Sequence, residues 1–346
     1  MKPTSPALGE VARAALTRHI GALVEQPDDM EGVHQRRVAT RRLRAALRFF
    51  RSALPPSADD LRVELAWLAA ALGAVRDLDV HIATIHEQAC ELGVSSDFFA
   101  PVIDRLAARR ATARAELAVA LESPRYATLV HALCKLTDAA WPAASLASAF
   151  DAVPPLIEQR VRRLRAAARR ARPKAPASVL HRTRIRGKQL RYALEFVADL
   201  YGRPARALVK RLTRVQDVLG AIQDAATQTR VLESMRDDVP PACLVLLEHA
   251  LDQRARAARN DVSDAIAAVL RPKRRKRLHR AFVRQPRHDE AASQPDKDCA
   301  EHESGRQRDE QAIAGPRRDN GRDHAQAPGR AELIGGFEQP GCEPSA

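Results

Sequence analysis

The sequence has few of the residues that favour β-sheets. Aromatic residues make up 4% of the 346 residues and only 15 are glycine, whereas alanine, leucine and arginine dominate. Strands are normally enriched in aromatic and β-branched side chains, so this composition argues against a β-sandwich, a barrel or a doubly wound sheet. Alanine, leucine and arginine are strong helix formers. The composition therefore predicts an all-α protein.

Several signals that would place the chain outside the cytoplasm are absent. No basic-then-apolar signal pattern opens the sequence, and the longest nearly apolar run, residues 65–75, has 11 residues and is too short to span a bilayer. The five cysteines lie far apart and form no CxxC pair, which is typical of reduced thiols rather than of disulfides or a zinc site. These features predict a soluble, cytoplasmic protein. The cysteines are Cys90, Cys134, Cys243, Cys299 and Cys342.

Positive charge is abundant and unevenly distributed. The chain has 49 Arg and 8 Lys against 43 acidic residues, with a net charge of +14. Residues 1–280 hold 48 basic and 30 acidic residues, whereas residues 281–346 hold nine basic and 13 acidic ones. This last segment has no apolar period and is predicted to be a disordered tail. The basic run at 271–280 is either an auxiliary anion clamp or, as we favour, a solvated end of the last helix.

The sequence contains an internal repeat with an offset of 147 residues. Residues 34–44 align with residues 181–191: both begin with His, carry Arg three positions later and Arg or Lys seven positions later, and end in Leu-Arg. At the same offset Leu-Gly-Ala-Val-Arg-Asp at 72–77 aligns with Leu-Gly-Ala-Ile-Gln-Asp at 219–224. Two matches without a gap between them predict a duplicated unit.

Helical periodicity divides each repeat unit into four helices. We predict two four-helix bundles related by a pseudo-twofold and joined by a connecting helix at about 125–140. The first unit spans about 6–122 and the second about 153–270, within one domain of residues 1–280 followed by the tail at 281–346. The predicted helices are 6–25, 30–52, 57–91 and 97–122 in the first unit and 153–172, 177–200, 204–237 and 240–270 in the second.

Basic side chains recur at helical spacing on one face of the second helix in each unit. At about 100° per residue the first set lies within an arc of roughly 80°, opposite the apolar residues. A further set on the next helix of the second unit has no counterpart in the first. The predicted binding residues are His34, Arg37, Arg41, Arg44 and Arg48 in the first unit, His181, Arg184, Lys188 and Arg191 in the second, and Arg203, Arg206, Lys210 and Arg214 in the further set.

Such a concentration of one charge predicts an anionic partner. Seven Arg and no acidic residue lie between positions 34 and 51, and like charges at i,i+3 and i,i+4 repel one another. A solvated helix face balanced by nearby carboxylates therefore fits poorly. Asp77 and Asp224 are either counter-ions for some of these guanidinium groups or residues that cap or bridge their own helices.

A linear polyphosphate fits the basic faces best among the polyanions. Guanidinium groups bind phosphate bidentately, whereas single-stranded nucleic acid usually requires aromatic stacking platforms. The basic sets contain no Trp or Phe, and Tyr192 alone sits beside one. His34 and His181 could be metal ligands, phospho-acceptors, structural residues or hydrogen-bond donors. We favour donors to phosphate, because the ligands that a metal needs at i,i+3 or i,i+4 are absent.

These residues resemble the CHAD family, the conserved histidine α-helical domain. The resemblance covers about residues 6–270, including both histidine helices and both Leu-Gly-containing segments. It implies a pseudo-twofold helical fold that binds inorganic polyphosphate through a basic surface or central channel, and association with polyphosphate or polyhydroxyalkanoate granules in some members. The family name rests on histidines that match His34 and His181.

The sequence predicts a binding module rather than an enzyme. Many CHAD proteins are fused to a triphosphate tunnel domain with an ExExK signature, which this chain does not contain, and no P-loop or His-Glu-x-x-His motif occurs. No cofactor is expected, except divalent cations carried with polyphosphate. The alternatives are a nucleic-acid-binding protein and a phasin-like protein that coats storage granules.

Overall fold

The computed structural model describes residues 6–270, and within them all regular secondary structure is helical apart from one isolated bridge between Ala7 and Ser148. This confirms the all-α prediction. The predicted end of the domain at residue 280, the basic run at 271–280 and the tail at 281–346 lie outside the described residues. The helices are α1 (Leu8–Val24), α2 (Met30–Phe49), α3 (Ala58–Leu92), α4 (Ala100–Glu122), α5 (Pro124–Asp138), α6 (Ala149–Ala168), α7 (Ala177–Phe196), α8 (Ala198–Glu233) and α9 (Pro241–Leu270).

The helices recur in the order that the sequence repeat predicts. Helices α1 to α4 correspond to α6 to α9, and α7 begins and ends 147 residues after α2. Helix α5 occupies the place of the predicted connecting helix. The largest difference is in α8, which begins six residues before the predicted start at 204 and contains a kink.

The helix ends follow from local chemistry. The Asp29 side chain accepts a hydrogen bond of 2.7 Å from the backbone N–H of Gly32, and Ser123 caps α5 in the same way through Tyr126 at 3.2 Å. Gly93 ends α3 with a φ of 66°, a left-handed conformation that glycine adopts without a steric cost. The short loops make consecutive helices pack side by side, from α1 to α4 and again from α6 to α9.

The main apolar core is shared by the two repeat units. Leu16 and Leu47 of the first unit belong to the same cluster of buried side chains as Leu164 and Leu194 of the second. The partly buried Phe196 packs against this core with its ring 5.9 Å from that of the buried Phe50, so α7 packs directly on the end of α2. The units are therefore not separate bundles, and their packing brings the polar faces of α2 and α7 close together.

Helix α8 is bent at Gly202. This residue has φ 54° and ψ −138°, inside a helix that continues on both sides. That conformation is accessible essentially only to glycine. The bend lies immediately before the basic set that begins at Arg203.

Replacing Gly202 by alanine should destabilise the protein by about 1–3 kcal/mol, because an L side chain is strained at this φ and ψ. Gly187→Ala is the matched control: Gly187 lies inside α7 and an added Cβ meets no atom within 4 Å, so helix propensity should stabilise the fold by up to about 1 kcal/mol. Denaturant unfolding of both variants measures the difference. Equal stability of the two variants would contradict the bend.

Candidate anion-binding site

The basic faces of α2 and α7 meet where the two repeat units pack together. Helix α2 contacts α7 directly, and Arg41 lies close enough to Lys188 for its charge to lower the pKa of the lysine. These two residues occupy equivalent positions in the sequence repeat. Two of the predicted basic sets therefore form one surface, which we call the central site: Arg37, Arg41, Arg184, Lys188 and Arg191.

Two carboxylates from the neighbouring long helices act as counter-ions in the central site. Asp77 on α3 lies 2.8 Å from Arg37 Nη2, and Asp224 on α8 lies 3.7 Å from Arg184 Nη2. The two pairs occupy equivalent positions in the repeat. Both carboxylates remain more than half exposed, whereas the two arginine side chains are mostly buried. Of the two roles that the sequence left open for Asp77 and Asp224, the structure favours that of counter-ion.

The glycine in each repeated Leu-Gly segment makes room for the guanidinium group. A Cβ added at Gly73 would lie 2.6 Å from Arg37 Nη1, which is closer than atoms can approach. At Gly220 the same atom would lie 3.7 Å from Arg184 Nη2, an ordinary contact. The glycine thus lets an arginine of one helix lie across the next helix and reach the Asp one turn further on. The arginine lies closer to the glycine in the first unit than in the second.

Arg41 and Lys188 have no carboxylate within ion-pair distance among the described residues. Both are half-buried, and Arg41 Nε is buried without a hydrogen-bond partner there. Burial lowers the pKa of Lys188 to about 7, with further lowering by Arg184, Arg41 and Arg191 against the raising effect of Asp224. Arg41 therefore carries a positive charge that no described carboxylate neutralises, whereas Lys188 beside it is only partly protonated near pH 7.

A buried histidine lies behind the two counter-ions. His81 is 6% exposed on α3, one turn after Asp77. Its pKa is lowered by burial, although Asp77 and Asp224 both raise it. The pKa of Asp224 is raised first by burial and also by Asp77, so the charges of the two counter-ions affect each other. The sequence analysis missed His81 because it has no counterpart in the repeat, although its spacing from Asp77 could have indicated it.

The two histidines that the family name rests on lie at the start of their helices. His34 is half-buried on α2, and His181 is exposed on α7 with its Nδ1 3.0 Å from Gln223 Oε1 on α8. His181 precedes Arg184 by one turn, so its ring flanks the pair between Arg184 and Asp224. Their predicted role as donors to phosphate stays a prediction.

The two basic helices differ at their C-terminal ends. Arg44 and Arg48 extend the basic face of α2 without an ion pair among the described residues, whereas Glu195 occupies the place of Arg48 on α7. The Glu195 carboxylate lies 3.1 Å from Arg191 and 3.9 Å from Arg42. Positive charge is therefore neutralised at this end of α7 and remains uncompensated at the end of α2.

The further basic set on α8 is exposed to solvent. Arg206 forms an ion pair of 3.5 Å with Asp199, whereas Arg203, Lys210 and Arg214 have none within the described region. By the helical period, Arg206 and Lys210 project within about 40° of the side of α8 that carries Asp224. This set therefore flanks the central site on one helix and does not join the contact between α2 and α7.

Residues 6–270 lack two further features that would indicate a different kind of site. Within this range, no three or more His, Cys, Asp or Glu side chains are grouped so that they could hold a metal ion. None of the helices described here combines the length and apolar character needed to cross a membrane.

Comparisons with known proteins agree with the helical architecture. The sequence profile of the family described as CHAD domain matches residues 7–233. The crystal structure of the CHAD domain from the plant Ricinus communis aligns with a TM-score of 0.57 and 28% identity, covering 82% of this chain and 94% of that one. PptA from Streptomyces chartreusis aligns with a TM-score of 0.63 and 19% identity, covering 75% of this chain and 99% of that one. No match was found among curated proteins.

The close approach of Arg37 to Gly73 predicts unequal effects of two equivalent substitutions. Gly220→Ala should stabilise the fold by up to about 1 kcal/mol through helix propensity. Gly73→Ala should gain less, because the new Cβ displaces the Arg37 guanidinium from Asp77. In an Arg37→Ala background, Gly73→Ala should recover the full gain. A double-mutant cycle measured by denaturant unfolding tests this, and equal gains from both glycine substitutions in the otherwise unchanged protein would contradict the observed packing.

Proposed function

Because the chain belongs to the CHAD family, we propose that it is a binding module for inorganic polyphosphate, which the central site holds along the paired faces of α2 and α7. The proposal is supported by the half-buried charge of Arg41, which no described carboxylate neutralises, beside Lys188, whose lowered pKa lets a bound anion draw a proton onto the amine. A half-buried cation without a counter-ion is costly. A bound phosphate chain would remove that cost.

The Arg–Asp pairs support binding of a chain of phosphates rather than of a single anion. Arg37 and Arg184 lie one helical turn before Arg41 and Lys188 on their own helices and are held by Asp77 and Asp224. Successive phosphates of one chain would meet these four cations in turn, and each contact would release condensed counterions. The guanidinium groups would need little rearrangement, because their carboxylates already keep them in place.

The surroundings of the aromatic residues favour polyphosphate over nucleic acid. Tyr192, the one aromatic residue beside the central site in sequence, is buried, and the Arg191 guanidinium lies 5.0 Å from its ring centre. Trp67, Trp141 and Phe49 likewise each have an arginine over the ring, at 4.3, 4.4 and 4.5 Å. Rings covered in this way do not provide the free faces on which bases stack. Nucleic-acid binding therefore remains the alternative with less support.

A granule-coating role would require a continuous apolar surface. The exposed large apolar side chains of the described residues are scattered over most of the helices, for example Val63 on α3, Val119 on α4 and Val245 on α9. Association with storage granules would then depend on binding the polyphosphate in the granule and not on an apolar contact. We propose no catalytic step, because no phosphoryl-transfer motif accompanies the central site.

Neutralising the middle of the central site should weaken binding of long-chain polyphosphate. The variant Arg41→Gln/Lys188→Gln removes two charge-assisted contacts, each worth about 1.5–3 kcal/mol before screening, so we expect affinity to fall by at least about tenfold. The control is Arg169→Gln/Arg170→Gln, which removes the same charge at two exposed residues without ion pairs in the described region. Filter binding at one salt concentration measures both.

Competition separates polyphosphate from nucleic acid. Polyphosphate should displace labelled single-stranded or duplex DNA at a far lower phosphate concentration than DNA needs to displace polyphosphate. The opposite order would favour the nucleic-acid alternative. If Arg41→Gln/Lys188→Gln bound polyphosphate as tightly as the wild-type protein, the polyanion would bind somewhere other than the central site.

Binding should depend on pH through Lys188. Its pKa of about 7 in the free protein means that the amine is mostly neutral above pH 7, and a bound polyanion stabilises the protonated form and raises this pKa. Affinity should therefore be nearly constant below about pH 6 and fall as the pH rises from 7 to 9. Lys188→Gln should remove this dependence, with any remaining change due to the ligand. An identical pH profile for both proteins would exclude the lysine as the titrating group.

A further inference from the structure

A second group of arginines lies at the C-terminal end of α2, outside the central site. Its members come from four helices that are far apart in the sequence, and four of the six are not among the predicted binding residues. We call this group the Arg48 cluster. It consists of Arg44 and Arg48 on α2, Arg62 on α3, Arg160 and Arg163 on α6, and Arg186 on α7.

Helix register brings Arg62 to Arg48. Arg37 lies against Gly73 on the following helix, and α2 and α3 are joined by a short turn, so they run in opposite directions. Eleven residues further along α2 is Arg48, and eleven residues back along α3 is Arg62. Arg48 and Arg62 therefore lie at the same level of this helix pair, which agrees with the effect of the Arg62 charge on Arg48.

A stacking contact holds Arg160, the first of the two cluster members on α6. The Arg160 guanidinium lies 4.5 Å from the ring centre of Phe49, the residue after Arg48, and donates a 2.8 Å hydrogen bond to the Leu156 carbonyl. Arg163 follows one turn later on α6 and is exposed. Helix α6 thus presents two positive charges beside the end of α2.

The electrostatics agree with this arrangement. The pKa of Arg48 is lowered by burial and then by Arg62, Arg44 and Arg186, in that order. Burial also lowers the pKa of Arg160 to about 10, with further lowering by Arg163 and Arg48. The charge of Arg48 thus acts on Arg160 as well, which connects the α6 members to the end of α2.

Few carboxylates offset this charge. Asp59 lies 2.7 Å from Arg62 and also binds Arg51. Across residues 6–270, no carboxylate lies within 4 Å of the other five members. Arg48 in the last turn of α2 can stabilise the helix dipole, but that role does not require arginines from three further helices.

We propose that the Arg48 cluster is a second phosphate-binding site, which holds the part of the same polyphosphate chain that extends beyond the central site. This proposal rests on the proposed function. Arg44 links the two sites, and the seven residues from Arg41 to Arg48 span about 10 Å of helix. A linear chain can therefore run along α2 from one site to the other. In the second repeat unit the same path is closed by Glu195, so the chain leaves the central site toward the first unit.

The test is the variant Arg48→Gln/Arg163→Gln, which keeps the stacked Arg160 and the ion-paired Arg62 unchanged. Long-chain polyphosphate should bind at least about tenfold more weakly to it. The slope of log K against log salt should become shallower by about two, because two fewer phosphates are neutralised on binding. Arg169→Gln/Arg170→Gln, with the same change in net charge, should change the affinity by no more than about twofold and leave the slope unchanged. Thermal unfolding checks that both variants remain folded.

The outcomes separate the two proposals. If wild-type protein does not bind polyphosphate, the proposed function fails. If wild-type protein binds and Arg41→Gln/Lys188→Gln binds more weakly, but Arg48→Gln/Arg163→Gln retains both affinity and slope, the function stands and the second site is wrong. Equal weakening by the cluster variant and the Arg169/Arg170 control would show an effect of net charge alone and would also overturn the second site.

Discussion

Helices α2 and α7 pack against each other although the polar faces of both carry almost only positive charge. Two unit charges 4 Å apart repel by about 4 kcal/mol at the effective dielectric constant of a protein surface. Carboxylates on the helices that follow in the chain reduce this repulsion: Asp77 on α3 pairs with Arg37, and Asp224 on α8 pairs with Arg184. The shared apolar core behind the two helices, including Leu47 and Leu194, supplies the favourable term that keeps them together.

The helices could be predicted from the sequence because apolar periodicity, proline positions and the repeat all indicate the same boundaries. The basic face of α2 could be predicted equally well, because the spacing of its residues is a property of one helix. The sequence could not show which charged side chains on different helices would lie close together. Arg36 shows the limit: it lies among the seven arginines in sequence, but it is buried and its guanidinium binds the carbonyls of Pro27 and Gln26.

The same limit applies to protonation and to the backbone. The lowered pKa of Lys188 comes first from burial, then from Arg184 and then from Arg41, which is 147 residues away in the chain; neither the burial nor the Arg41 contribution can be read from a local pattern. The bend at Gly202 similarly makes α8 start before Arg203, where the sequence predicted a break ahead of Pro204. The roles of Asp77 and Asp224 remained open at the sequence level because either residue could equally have capped its own helix.

Under the proposed function, the Arg–Asp pairs also affect the rate at which a bound polyphosphate chain would leave. When a phosphate departs from Arg37, the Asp77 carboxylate is already within 2.8 Å and can take its place. The guanidinium then passes from one anion to another without a stage in which it is buried and unpaired, so the barrier to each departure is lowered. A long chain held in this way can be peeled off one phosphate at a time, which combines tight overall retention with rapid local exchange.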